Sequence, residues 1–317
     1  MKIAILICTR NRPAQLDALL NSISLLELKP AQVVISSSGL NVSSLVSKYK
    51  EEFPVSHVHS ELYGQIRQKM IGIQAIENSI HWTVFLDDDV LLPKSTLRKL
   101  NDVIQERDRQ SPSKLLGIGF RTPSTTNLKS AGKAKKMLAQ FFLLDSKKLG
   151  DVLASGHPVS YVDSNESIST KWLNGISAWN CISLKSYGSD FLESRYSAYE
   201  DVFFSYGQSK IGELIFAPSI EINFQSSLTT DLSQQSVFKT ASFWRLKFVL
   251  SHTELSKYKF LWSQVGRSLF FIGNSRKSFS SFAIGVRTAI SIFVEIVFQL
   301  AIKRDANWSL DRHCKST

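Results

Sequence analysis

The sequence predicts an α/β fold built on a largely parallel sheet. Apolar, β-branched runs with the length of buried strands alternate with segments of helical periodicity. Polar clusters follow several of those runs, where open α/β sheets place their ligands.

The elements can be justified in order. "KIAILIC" (2–8) is continuously apolar, as suits a strand buried on both faces. "TRNRP" turns the chain. Leu16, Leu19, Leu20, Ile23 and Leu26 then recur at helical spacing, until Lys29-Pro30 stops the helix. "AQVVISSSG" (31–39) is a second strand, read as ending in a polar loop at Ser36-Ser37-Ser38. "PVSHVHS" (54–60) alternates like a short strand. "GQIRQKMIGIQAI" (64–76) is helical, with Ile66, Met70, Ile73 and Ile76 at i+3/i+4 spacing. "HWTVFLDDD" (81–89) is a further strand, so the first 90 residues read β-α-β-β-α-β.

The chain has 317 residues and 43% hydrophobic content, enough for a sizeable core and two structural units. Cys8, Cys181 and Cys314 are far apart and odd in number, which argues against a disulfide framework and fits a reducing compartment. The opening apolar run is too short for a signal-peptide core and lacks a small-residue cleavage site. The net charge of +11 is uneven, because nine Lys/Arg face one acid, Glu254, between Leu232 and Val294. That stretch also carries twelve aromatics. The expected organisation is a soluble domain over 1–230 and a basic, aromatic helical tail over 231–317. Such a tail suits an anionic partner, either a membrane surface or a nucleic acid.

"FLDDDVLLP" (85–93) sets three carboxylates, Asp87, Asp88 and Asp89, against the end of a buried strand. Carboxylates near low-dielectric walls need something positive to offset them. A solvated turn is the bland reading, and a divalent metal is the sharp one. Thr9-Arg10-Asn11-Arg12, Ser36-Ser37-Ser38 and Gly64 to Lys69 fall at the same predicted sheet edge. Two of these clusters are basic and the triplet is acidic, which a metal–diphosphate would join.

"CTRNRP", "GQIRQK", "FLDDDVLLP", "WLNGISAW" and "YEDVFFSYG" resemble, in order and near spacing, the family 2 glycosyltransferases of GT-A fold. The resemblance covers roughly residues 1–230. It implies a Rossmann-like mixed sheet between helices, as in nucleotide-diphospho-sugar transferases, here with a C-terminal helical extension. By resemblance, Thr9 and Arg12 lie at the nucleobase, Arg67 at the base or a phosphate, and Asp87 or Asp88 at the ribose or nucleotide. Asp89 would bind the cofactor, Mn2+ or Mg2+. Trp172 and Gly175 would face the acceptor, the glycine admitting close backbone approach. Trp179 and Trp172 both have plain core packing as their bland alternative. Asp201 would be the catalytic base, with Glu200 placing the acceptor. Two acids also suit a first helical turn through the dipole alone.

Two departures stand out. The family's second strand normally ends in an Asp for uracil, whereas this chain offers Ser37 among three serines. That leaves UDP, dTDP and GDP open. The histidine that often completes the metal site is replaced in "APSIEINFQSS" (217–227) by Asn223 and Gln225, so no third ligand is assigned.

The reaction implied is a single inverting displacement from a nucleotide-sugar donor onto a hydroxyl of a saccharide or lipid-linked saccharide, in cell-surface polysaccharide or glycolipid synthesis. A non-catalytic nucleotide-sugar-binding relative is the alternative. No groove-reading or base-stacking module accompanies the basic tail, which weighs against nucleic acid as partner. The segment 121–170 reads as a short amphipathic helix in a variable, lysine-rich loop. "FAIGVRTAISIFVEIVFQLAI" (282–302) is long enough to span a bilayer, but Arg287 and Glu295 argue against that. On a helix, Arg287, Thr288, Ser291, Glu295 and Gln299 share one sector of roughly 120° at about 100° per residue. The expectation is an amphipathic helix that packs on the catalytic domain or lies in an interface. It suggests peripheral attachment to an anionic membrane surface, the cytoplasmic face of the plasma membrane.

Overall fold

The structure is a computed structural model and describes residues 1–110, 113–123, 132–187, 198–225, 233–274 and 279–302. It divides into two compact units. One comprises Met1–Thr125, Tyr161–Glu193 and Glu200–Thr229; the other comprises Thr126–Ser160, Ser194–Tyr199 and Thr230–Thr317. The chain thus crosses near residue 230, where the composition changes, and the helical unit also draws in residues around 126–160.

Chain order begins with Ile3–Arg10 (β1), Pro13–Ser24 (α1), Gln32–Ser38 (β2), Ser43–Ser47 (α2) and Val55–Ser60 (β3). Gln65–Gln74 (α3), Trp82–Asp87 (β4), Val90–Leu91 (β5), Thr96–Gln110 (α4) and Leu115–Arg121 (β6) follow. Lys133–Phe141 (α5) lies in the helical unit. Ile168–Ser169 (β7), Ser177–Asn180 (β8), Glu200–Gln208 (α6), Glu213–Glu221 (β9) and Asn223–Phe224 (β10) complete the first unit. Gln234–Leu250 (α7), Lys257–Asn274 (α8) and Phe279–Ile302 (α9) belong to the second.

Among the described residues the main sheet has eight strands in the order β3-β2-β1-β4-β8-β6-β9-β7, and β10 pairs with β5 in a small separate ribbon. β3, β2, β1 and β4 are parallel neighbours, while β8 runs antiparallel between β4 and β6. The sheet is therefore mixed: β3, β2, β1 and β4 carry the expected strand–helix alternation, and β6 and β9 form a second parallel pair. α2 was not legible as an element, being only five residues long.

Strand alternation explains how both faces are covered. Ile3, Ile5 and Ile7 pack with Leu16, Leu19, Leu20 and Ile23 of α1 in one core. Leu6 points the other way and packs with Val34, Ile66 and Phe85. α3 approaches β1 so closely that a Cβ on Gly72 would lie 2.2 Å from Leu6 Cδ1. Each fully buried aliphatic side chain stabilises such a core by about 1.5–3 kcal/mol.

One expectation is corrected by the sheet. Ser36, Ser37 and Ser38 do not form a loop; they are the last residues of β2, fully buried and in register with both β1 and β3. A strand with ladder partners on both sides has its backbone groups satisfied, so polar side chains alone do not end it.

In the helical unit, Ser233 caps α7 by accepting a hydrogen bond from Ser236 N. Phe238, Phe243, Leu246 and Val249 of α7 form a core with Phe260 of α8 and Ile292 and Ile296 of α9. α9 is two-faced in an unexpected way. Ala289, Ile292 and Ile296 are buried, while Ile284, Ile290, Val294, Val297 and Phe298 are exposed. Residues 282–301 are long and apolar enough to cross a membrane by length and composition, with mean hydropathy 1.7.

Candidate active site

The strand tips meet because of register. Thr9 of β1 stands opposite Ser37 of β2, and Cys8 stands opposite Asp87 of β4. β2 and β4 flank β1 on opposite sides, so connections diverge beyond the carboxyl ends of these strands. That is the switch-point crevice where open α/β sheets hold ligands.

Asp87 ends β4, and Asp88 and Asp89 occupy the turn after it. Thr9 Oγ1 donates to Asp88 Oδ2 at 2.7 Å. One terminal nitrogen of Arg12 donates to Asp88 Oδ1 at 3.2 Å and to Asp89 Oδ2 at 3.3 Å. Thr9, Asp88 and Asp89 are all buried, at 3%, 5% and 9% exposure, so the triplet is not a solvated turn. Burial raises the Asp88 pKa, against the opposing pull of the Thr9 hydroxyl and Arg12. Asp87 is pushed up to about 6, first by burial; Lys69 opposes this, and the neighbouring carboxylates add to it.

α3 braces this end of the sheet. Gly64 begins it at φ +143°, a backbone state that excludes most side chains. Gln68 Nε2 donates to Thr9 O at 2.8 Å and to Ser36 O at 3.2 Å, tying the tips of β1 and β2. Arg67, one residue earlier, is half-buried. Ser37 Oγ lies 2.8 Å from His57 Nε2 and 2.9 Å from His59 Nδ1. Sequence reasoning assigned neither histidine. Their i, i+2 spacing in "SHVHS" was the available signal, since it puts both on one face of β3.

Lys69 joins the two halves of the sequence. It is buried and ion-paired with Glu200 Oε1, while the Tyr187 hydroxyl donates to Glu200 Oε2. Burial alone would depress the Lys69 ammonium, but Glu200 and then Asp87 raise its pKa above the ordinary lysine value. Lys69 and Tyr187 were also not assigned from sequence, because helical pattern does not reveal a buried cation. Gly175 sits beside this pair: a Cβ there would be 3.9 Å from Lys69 Nζ.

Asp201 follows Glu200 in the first turn of α6, and its Oδ1 accepts from Val202 N at 2.8 Å. Burial and then the Glu200 charge push its pKa up to about 7, against Lys69 and the local backbone donors. The Asp201 charge also reaches the buried Tyr161, whose hydroxyl accepts a hydrogen bond from Asn174 N at 2.8 Å. Trp172 packs on Tyr161 at 4.9 Å between ring centroids. Trp179 is core: its Nε1 donates to Ser177 Oγ at 2.9 Å and its ring lies 4.5 Å from Phe204. Cys8 is no nucleophile, since burial pushes its thiol up to about 12.

Among the described residues no three His, Cys, Asp or Glu side chains group as a metal cage. Gln225 donates through Nε2 to Gln15 O at 3.0 Å and to Asp88 O at 3.3 Å. Asn223 is exposed in β10. The donor set fits a hard divalent ion that takes one or two carboxylates and completes its shell with phosphate and water.

Sheet, crevice and paired acids together define the GT-A fold. Residues 4–130 match the model of glycosyl transferase family 2, a span that contains Thr9, Arg12, Arg67 and Asp87 to Asp89. No curated protein matches the sequence. Solved structures do share the fold. TarS 1–349 from S. aureus in complex with UDP-GlcNAc aligns over 94% of this chain and 82% of that one, at 14% identity and TM-score 0.58. The same TarS fragment in complex with UDP aligns over the same shares, at 16% identity and TM-score 0.56. A longer S. aureus TarS chain is covered over 49% of its length, with 94% of this chain, 16% identity and TM-score 0.55.

Proposed function

We propose that the chain is an inverting glycosyltransferase that moves a sugar from a nucleotide-diphosphate donor to an acceptor hydroxyl. The observation that carries this reading is the buried Lys69–Glu200 pair. It brings the strand-tip carboxylates and the distant Glu200-Asp201 pair into one electrostatic neighbourhood, where Asp87, Lys69 and Glu200 act on each other. The likeness to TarS structures holding UDP-GlcNAc and UDP supports a nucleotide-sugar donor, with UDP as the first nucleotide to test.

The roles follow from the contacts. Both oxygens of Glu200 are engaged, one by Lys69 and one by Tyr187, so it positions rather than accepts a proton. Asp201 is the base. A carboxyl with pKa near 7 is a far stronger proton acceptor than an ordinary aspartate, and an acceptor alcohol needs one as it attacks. The hydroxyl oxygen bonds to the anomeric carbon, its proton passes to Asp201, and the bond to the diphosphate breaks with its electrons. Thr9, Arg12, Arg67, Ser37, Asp87 and Asp88 form the nucleotide side. Ser37 acts there together with His57 and His59. Trp172 and Gly175 form the acceptor side. Asp89 would hold Mn2+ or Mg2+, whose charge would stabilise the leaving diphosphate.

The acceptor is a saccharide or lipid-linked saccharide of the cell surface. The exposed apolar face of α9 and the basic charge of the tail support peripheral attachment to an anionic, cytoplasmic membrane face. A donor screen with and without Mn2+ tests the reading, comparing the wild type with Asp201→Asn. Transfer in the wild type, with donor binding kept and transfer lost in the variant, is expected. A variant that transfers at the wild-type rate removes Asp201 from its role, and a wild type that binds nucleotide sugar yet never releases nucleotide is a binding protein.

A further inference from the structure

The helical unit contains buried cationic groups that the proposed reaction does not use. Arg245 of α7 is completely buried. One terminal nitrogen donates to Ser263 Oγ and to Phe260 O, the latter at 3.4 Å, and the guanidinium carbon lies 4.9 Å from the Phe260 ring centre. Its Nε and other terminal nitrogen are buried without a hydrogen-bond partner. Arg267 lies one turn beyond Ser263 on the same face of α8, with its guanidinium carbon 5.4 Å from the Phe238 ring centre. One of its terminal nitrogens and the adjacent Ser268 Oγ are also buried without partners.

A third group arrives from residues 150–159. Gly156 holds φ +74° and packs against α7, where a Cβ would meet Val249 Cγ2 at 2.4 Å and Arg245 Cγ at 3.7 Å. That close approach sets the next residue, His157, beside the arginines, with its Nδ1 buried and unpartnered. Burial and then Arg245 and Arg267 hold the imidazole well below its usual pKa. Arg245 is itself lowered to about 9 by burial and then by Arg267, against the pull of the Tyr199 phenol. Two guanidiniums held close together in a low-dielectric setting are destabilising until a counter-charge joins them.

We propose that the helical unit encloses an oxyanion of the phosphate class, held between Arg245 and Arg267 with Ser268 adding a hydroxyl donor and His157 lining one side. Donors from two helices match a tetrahedral anion with several acceptor oxygens, and guanidinium–phosphate hydrogen bonds are charge-assisted. The site shares no residue with the strand-tip carboxylates, and its existence does not depend on glycosyl transfer.

Thermal unfolding of the full chain, in inorganic phosphate against chloride at matched ionic strength, tests it. A ligand that binds only the folded state raises Tm saturably. The expected result is a phosphate-specific rise of several degrees that disappears in Arg267→Gln and persists in Arg12→Gln, which disables the strand-tip crevice instead. Glycerol phosphate giving the same rise marks a site open to a phosphoryl substituent of a larger molecule; inorganic phosphate alone marks an enclosed free ion. No phosphate-specific rise in the wild type, or one that survives Arg267→Gln or vanishes in Arg12→Gln, overturns the proposal. Should Arg267→Gln fail to fold, 31P NMR of phosphate with Arg12→Gln decides: a bound signal displaced by sulfate supports the site, and its absence removes it.

Discussion

Lys69 and Glu200, 131 residues apart in sequence, form a buried ion pair in which neither side chain exceeds 6% exposure. Removing one partner of such a pair leaves an uncompensated charge, which typically destabilises by about 3–5 kcal/mol. Lys69→Met is therefore expected to lower the denaturant midpoint sharply, and Lys69→Met/Glu200→Gln to recover part of the loss. Chemical denaturation of the wild type, both single variants and the double variant checks this. Additive losses would mean the two groups do not act as a pair.

Asp201 gives a signed pH prediction. Its folded pKa, about 7, lies above the ordinary carboxylate value of 3.8. Between those values the folded chain binds more protons than the unfolded chain, so this group's stabilising contribution is complete below the lower value and is lost as pH rises through the upper one. Asp201→Asn is expected to gain Tm relative to wild type at pH 8 and little at pH 4. Transfer by the wild type should do the opposite, rising with pH through about 7 as the base ionises. The variant's transfer should fall by about 10²–10⁴-fold. A transfer profile that is flat between pH 5 and 8 would exclude Asp201 as the titrating base.

Arg12 already neutralises Asp88 and Asp89 at 3.2 and 3.3 Å. Asp89→Ala is expected to abolish the difference in UDP affinity between Mn2+ and EDTA buffers. Arg12→Ala is expected to weaken UDP binding in EDTA more than in Mn2+, since the metal can take over part of the neutralisation. Calorimetric titration with UDP measures both, and equal weakening in the two buffers would separate Arg12 from the metal.

α9 yields a fourth prediction. Ile290, Val294 and Phe298 are each about 60% exposed along one side of the helix, where Arg287 is exposed among them. Ile290→Glu/Val294→Glu should leave the Tm unchanged, because neither side chain is buried, while releasing the chain from anionic vesicles in flotation. Wild-type chain that fails to float with vesicles containing about one third anionic lipid would leave the face without a membrane role.

The parallel half of the fold was legible because its strands are apolar runs buried on both faces, and Leu16, Leu19, Leu20 and Ile23 mark α1 by spacing alone. The acidic motifs stood out in the sequence because Asp87 to Asp89 and Glu200-Asp201 set carboxylates directly against apolar runs. What pairs with them did not. Lys69 reads only as part of a basic cluster at the sheet edge until α6 supplies Glu200 to it, and Ser37 reads as a loop residue until β3 supplies His57 and His59 across the ladder. Likewise, nothing local to residues 126–160 announces that they cluster with the C-terminal helices, because that grouping is made by long-range packing.

Gln68 and Lys69 are consecutive on α3, yet they grip different things: Gln68 clasps the ends of two strands, and Lys69 holds the acid at the head of α6. A single helical turn thus brackets the strand tips and the head of α6 at once. In the proposed reaction an acceptor that displaced α6 would therefore carry the strand tips with it, and the crevice would close as one body.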